Sequence, residues 1–273
     1  MHNLIPGLLP DTLLKAVIDA DQQVEALEAL VTHIDGRDLV TRMIEAWTGE
    51  DAAQSEAARH LIEHVNGFDR LTLIDHLPHY RLRLHIWWPE RTGPDPSDPT
   101  AKPVEEDAHD HNWDFASRVI AGRLRTLVYR PHDGGEQHYA YRHRYNQPGT
   151  YRDDDVERVR LIASPVWDQP AGTVYTFDHR QIHRVTPDPD VVTATIVATG
   201  RMRGNGSTVY TTTARHHDGF RQPATVLTAR DLAERIVDLE RDLTHPDQGA
   251  RLTAIRRHRR AGAVSPAQRS SQQ

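Results

Sequence analysis

Near residue 68 the spacing of apolar residues in this chain switches from about 3.6 to about 2, a helix period giving way to a strand period. Before the switch, Leu14, Val17, Ile18, Val24, Leu27, Leu30, Val31 and Ile34 trace one amphipathic stripe, with Asp11 set to cap its start. DGRDLVTRMIEAW repeats the stripe through Leu39, Val40, Met43, Ile44 and Trp47. EDAAQSEAARHLIEHVNG gives a third helical segment, closed by Asn66 and Gly67, a pair suited to a helix end. After the switch, YRLRLHIWW puts Leu82, Leu84 and Ile86 on one face and Arg81, Arg83, His85 and Trp87 on the other. DRLTLID, WDFASRVI, RLRTLVYR, QHYAYRHRY, RVRLIAS, GTVYTF, VVTATIVA and STVYTTT continue as short strands between turn signals such as HDGG, NQPG and DPDP. Strands this short and this closely spaced predict an antiparallel sandwich or barrel. TARDLAERIVDLERDLT then returns to helical spacing.

The chain therefore divides into a helical segment over 1–67, a β-barrel over 68–215, a C-terminal helix within 216–250 that packs on the barrel, and a tail over 251–273. The tail is basic and poor in apolar residues, a composition expected to be disordered. Short helices cannot leave such stripes in water. They must cover them with the barrel or with a second copy of the chain, which would make a homodimer.

Composition narrows the chemistry. There is no cysteine, so any metal must be held by imidazole or carboxylate. A net charge of −6 argues against a nucleic-acid partner. No apolar run approaches about 18 residues, and the start MHNLIPGLLPD lacks the pattern of a secretory leader. A cytoplasmic protein with no membrane partner is expected. Lys15 and Lys102 are the only lysines, an arginine bias that resembles high-GC bacterial proteins.

The stretch EDAHDHNWDFASRVIAGRL carries the candidate site. On one continuous strand His109, His111, Trp113, Phe115 and Ser117 share a face, while Asp110, Asn112 and Asp114 share the other. Two imidazoles two residues apart can reach one metal ion. A third is available in QPAGTVYTFDHRQIHRV, where His183 lies between Ile182 and Val185 at the start of a strand; His179 falls in the preceding turn.

H-x-H with Gly122 eleven residues beyond it, then PAG, a strand and IHRV, resembles the two motifs of the cupin superfamily. The resemblance covers about 68–215 and implies a mainly β, jelly-roll barrel holding one metal at its mouth. Many cupins have a glutamate seven residues before that glycine, where this chain has Phe115. Asp114 alongside is expected to point away from the histidines. The implied ligands are His109, His111 and His183, a three-histidine set that looks like the cysteine dioxygenase branch.

That likeness puts Arg70 at the carboxylate-binding position, with Arg81 and Arg83 as rivals. It also implies iron(II), with zinc, nickel or copper as other fits, and a small carboxylate-bearing, amino-acid-like substrate used with O2. Trp113, Phe115 and Tyr175 would line the pocket. The branch's Ser-x-His-x-Tyr pattern is absent from 192–198 and its cysteine from the neighbourhood of Ala116, so a thiol substrate is not implied. A metal-dependent isomerase, epimerase or lyase using His85 or Tyr175 as base is the second expectation, and a ligand-sensing cupin the third.

Overall fold

The computed structural model describes residues 2–20, 23–47, 51–64, 67–89, 106–147, 150–204, 206–214 and 225–245. Helices α1 (Asp11–Asp19), α2 (Gln23–His33), α3 (Gly36–Trp47) and α4 (Asp51–Ala58) precede the barrel, and α5 (Ala229–Thr244) follows it. The first sheet contains β1 (His2–Asn3), β2 (Leu61–Glu63), β3 (Phe68–His76), β4 (Tyr80–Trp87), β6 (Trp113–Ala121), β10 (Val174–Phe177), β12 (Thr193–Met202) and β14 (Thr225–Val226). Its order is β10-β6-β12-β4-β3-β2-β14, with β1 paired to β3. The second contains β5 (Ala108–His109), β7 (Arg123–Gln147), β8 (Thr150–Ala163), β9 (Trp167–Pro170), β11 (Ile182–Pro187) and β13 (Gly206–Thr211), in the order β11-β5-β13-β7-β8 with β9 on β7. Every pairing among the described residues is antiparallel, and the two sheets form the barrel expected from the alternation, with the mainly β, jelly-roll form that the cupin resemblance implies.

The two faces of the first sheet divide the labour. Leu82, Leu84 and Ile86 of β4 and Ala194, Ile196 and Ala198 of β12 point outward and are buried under the helices. Leu27, Leu30 and Val31 of α2 and Leu39 and Met43 of α3 fill the same core. Each of these Leu, Ile, Val and Met side chains contributes about 1.5–3 kcal/mol by leaving water. The helical segment thus buries its stripe against the barrel within one chain. Polar ties fix its angle: Arg118 on β6 donates to the Thr32 and Ile34 carbonyls at the end of α2, 2.8 and 2.7 Å away. Gln23 on α2 accepts from the Arg201 amide of β12 at 2.7 Å.

Several elements depart from the sequence reading. The first stripe is split into α1 and α2 by the extended Ala20, and Pro10, not Asp11, occupies the N-cap without a side-chain bond. The third helix ends at Ala58, and Leu61–Glu63 joins the sheet between β3 and β14. Burying Leu61 and giving the β3 edge a partner outweigh helix spacing there. HDGG is not a turn between strands. It forms a bulge inside β7, where Pro131 and Glu136 both face Leu161. The C-terminal helix packs chiefly on α3 and α4, and Arg235 reaches the buried Asp69 carboxylate at 2.8 Å beside the Trp88 indole. Its start carries a reciprocal capping box between Thr228 and Asp231. The basic tail lies outside the described residues.

Candidate metal centre

The H-x-H stretch is not one strand. Ala108–His109 belongs to the second sheet, between β11 and β13, whereas Trp113–Ala121 belongs to the first, between β10 and β12. Residues 110–112 carry the chain from one sheet to the other. The alternate polar residues hold that crossing. Asp110 accepts from the Thr208 amide at 2.6 Å and from the Tyr210 hydroxyl at 3.3 Å. The Asn112 amide donates to the Gly204 carbonyl at 3.1 Å. Asp114 accepts from the backbone and ring N–H of His179, both at 2.9 Å, and from Arg203 at 3.0 Å. Burial alone would raise the Asp114 pKa, but these donors hold it below the usual carboxylate range.

The third histidine arrives through the PAG turn. Gly122 adopts a φ of +65°, and a Cβ there would lie 2.4 Å from the Val192 carbonyl. Ala171 donates to the Gly122 carbonyl at 3.0 Å and Gly172 to that of Val119 at 2.8 Å, so the two motif turns are bonded to each other. From there β10 runs back along β6 and β11 places His183 opposite His109. The His111 amide donates to the His179 carbonyl at 3.2 Å, closing the same corner.

One ring nitrogen from each of His109, His111 and His183 lies within 4.8 Å of the other two. The His109 Nδ1 sits 2.9 Å from the Asp107 carbonyl and the His183 Nδ1 2.9 Å from that of Gln181. A carbonyl only accepts, so both rings carry their proton on Nδ1 and leave the Nε2 lone pair for a ligand role. Burial, reinforced by neighbouring imidazoles, holds His111 well below its usual value and His183 down at about 3. These two rings are therefore neutral at physiological pH, as metal ligands must be. Among the described residues no carboxylate joins this cluster. The donor set fits a divalent first-row metal with open positions.

A cavity of about 180 Å³ opens on the triad, and Arg70, Arg83, His85, Trp113, Phe115 and Tyr175 all line it. Arg83 lies over the Trp113 ring at 5.3 Å, and Trp113 stacks on His111 with centroids 5.3 Å apart. Phe115 touches both His111 and His183 edge-on or tilted, at 5.2 and 5.5 Å. Burial, with Arg83 and Arg70 nearby, holds His85 well below its usual pKa. Burial also pushes the Tyr175 hydroxyl up to about 12. Arg81 is not in the cavity; it pairs with Asp75 at 3.0 Å. His179 is taken by Asp114.

Sequence reasoning missed His64, Glu106 and Thr195 among the lining residues. His64, its pKa lowered to about 3 by burial and by Arg70, lies in EDAAQSEAARHLIEHVNG, whose spacing predicts a helix. The β4 alternation already put Trp87 on the face of Arg83 and His85, and the same alternation on VVTATIVA would have found Thr195.

No family model matches the chain, and no curated protein matches it. Solved structures do. An RmlC-like cupin from Shewanella frigidimarina aligns at 15% identity over 52% of this chain and 84% of its own, with a TM-score of 0.28. KdgF from a Halomonas species aligns at 12% over 52% and 87%, TM-score 0.28. An oxalate oxidase in complex with the substrate analogue glycolate aligns at 12% over 53% and 55%, TM-score 0.30. Likenesses at this level leave activity and substrate to the residues of this chain. No described helix is long and apolar enough to cross a membrane.

Proposed function

We propose that the chain is a mononuclear non-haem iron(II) oxygenase, dioxygenase-like, that acts with O2 on a small carboxylate-bearing, amino-acid-like metabolite. The supporting observation is the triad itself: three imidazoles converge, and among the described residues no carboxylate joins them. Such a set would leave the full double positive charge of iron(II) for an anionic substrate, with open positions for that substrate and O2.

The remaining work falls to the chain. Arg70 and Arg83 supply positive charge on the cavity wall, suited to a carboxylate. Trp113 and Phe115 give the triad an aromatic, water-poor surround. Tyr175, with its pKa near 12, keeps its proton and serves as a hydrogen-bond donor rather than a base. A non-redox isomerase, epimerase or lyase is the second reading, and His85 favours it: an unprotonated imidazole in the same cavity has a proton-accepting nitrogen, although its low pKa makes it a weak base.

Anaerobic purification, metal analysis and an O2-uptake screen over small amino and hydroxy acids test the choice. One iron per chain and substrate-dependent O2 uptake that disappears in His183→Ala support the oxygenase. Substrate turnover without O2 consumption, on zinc or nickel, would move the assignment to the second reading.

A further inference from the structure

Three polar atoms around the cavity have no hydrogen-bond partner among the described residues: the indole Nε1 of Trp87, the hydroxyl of Thr195 and the Nε2 of His85. Trp87 is 4% exposed and Thr195 1%, and all three side chains line the cavity of the histidine triad. Strand register gathers them. Thr195 of β12 faces His85 of β4, and one rung further along Thr193 faces Trp87. Buried donors are almost always paired in native proteins, because leaving them unmade is costly. Three such atoms around one cavity therefore point to an occupant that supplies the missing partners.

Their chemistry describes that occupant. The Trp87 N–H can only donate, the Thr195 hydroxyl donates or accepts, and the His85 imidazole offers one N–H or one lone pair. Arg83 and Arg70, on the same wall, oppose protonation of His85, so the local potential is positive and favours oxygen atoms. The cavity is smaller than pockets for drug-sized ligands, which run to about 300–1,000 Å³. Arg83 lies over Trp113, which stacks on His111, and all of these residues line the same cavity, so one small molecule spans from the triad to this group.

We propose that Trp87, Thr195 and His85 form a receptor for a second oxygen function of the substrate, remote from its metal-binding group. The ligand class is then a compact acid carrying a hydroxyl or a second carboxylate, in preference to a plain aliphatic carboxylate. A molecule without that oxygen would leave the donors buried and unmade, the situation in which sites discriminate most strongly. The inference rests on the metal reading above for the other end of the ligand only.

Calorimetric titration of the full chain with 3-hydroxypropionate, malonate and propionate tests it, on zinc-loaded and metal-free protein, with metal content measured separately. Propionate and 3-hydroxypropionate carry the same charge and differ by one hydroxyl. The two oxygenated acids are expected to bind at least about tenfold more tightly than propionate. Thr195→Val and Trp87→Phe should remove most of that preference with metal content and circular dichroism unchanged, and Thr195→Ser should keep it. Equal affinity for the three acids, no binding of any, or an intact preference in Thr195→Val would overturn the proposal. Failure of the metal reading would look different: no stoichiometric zinc, with the preference still present in metal-free protein.

Discussion

His183 is the most constrained of the three imidazoles. It is buried, its Nδ1 is held by the Gln181 carbonyl at 2.9 Å, and β11 fixes it opposite His109. Removing even a group that orients a ligand commonly weakens metal binding by about 10–100-fold, so removing the ligand should do at least as much. His183→Ala is expected to weaken zinc or iron binding by at least about 100-fold in a chelator competition; wild-type affinity would take His183 out of the site. Asp114→Asn should behave otherwise. Its carboxylate is turned to His179 and Arg203, so metal stoichiometry should stay at the wild-type level. The fold should lose about 1–3 kcal/mol in denaturant, since one amide oxygen cannot serve all three donors. Metal loss with an intact fold would place that carboxylate on the ion. Much of this was legible beforehand. Alternation grouped His109 with His111, and PAG followed by IHRV identified His183. The crossing between sheets was not legible, because HDHNWD alternates without a glycine or proline to mark a break. The unmade donors of Trp87 and Thr195 exist only once strands are side by side.

Among the elements, the motif turns bear most on the site. Gly122 and Gly172 both adopt positive φ, at +65° and +95°, yet their surroundings differ. A Cβ on Gly122 meets the Val192 carbonyl at 2.4 Å and Thr193 at 2.6 Å, whereas one on Gly172 meets nothing within 4 Å. Gly172→Ala therefore carries only backbone strain, about 1–2 kcal/mol. Gly122→Ala adds a backbone clash in a corner that also holds the Ala171 hydrogen bond, and is expected to destabilise by clearly more. Urea midpoints of the two variants check the order, and equal losses would show that the Val192 corner gives way freely. The helix stripes over Leu14–Ile34 and Leu39–Trp47 were readable because they bury one face against a sheet. Leu61–Glu63 was not, since HLIEHV has helical spacing and becomes a strand through burial of Leu61 and pairing with Asp69–Leu71 of β3. The HDGG bulge misled for a similar reason: its glycines suit a turn, but Pro131 and Glu136 both return to the same partner.

At the scale of the whole molecule, the barrel gathers several imidazoles that are kept neutral by burial, and this makes stability depend on pH in a definite sense. His64 and His183 titrate near 3 in the folded chain, and His85 and His111 are also held low. An unfolded histidine titrates near 6.5. Between those values the unfolded state binds protons that the folded state refuses, so stability is complete above about pH 6.5 and declines as pH falls toward 3. Each group contributes a slope of up to about 1.4 kcal/mol per pH unit in that window. Metal-free protein, unfolded in urea with chelator present, should therefore hold its stability near pH 7 and lose it increasingly as pH falls below about 6.5 to pH 5. A bound divalent ion adds its own stabilisation, set by its concentration relative to its dissociation constant. Binding requires neutral imidazoles, so the gap between zinc-loaded and metal-free protein should also narrow on acidification. Two variants separate these effects. His64→Gln should flatten the metal-free profile by about one proton's worth and leave the zinc gap intact, whereas His183→Ala should flatten the profile and abolish the gap. A metal-free profile that is level from pH 7 to pH 5 would mean that these rings accept protons in the folded barrel, and the triad would then lose its claim to be ready for an ion.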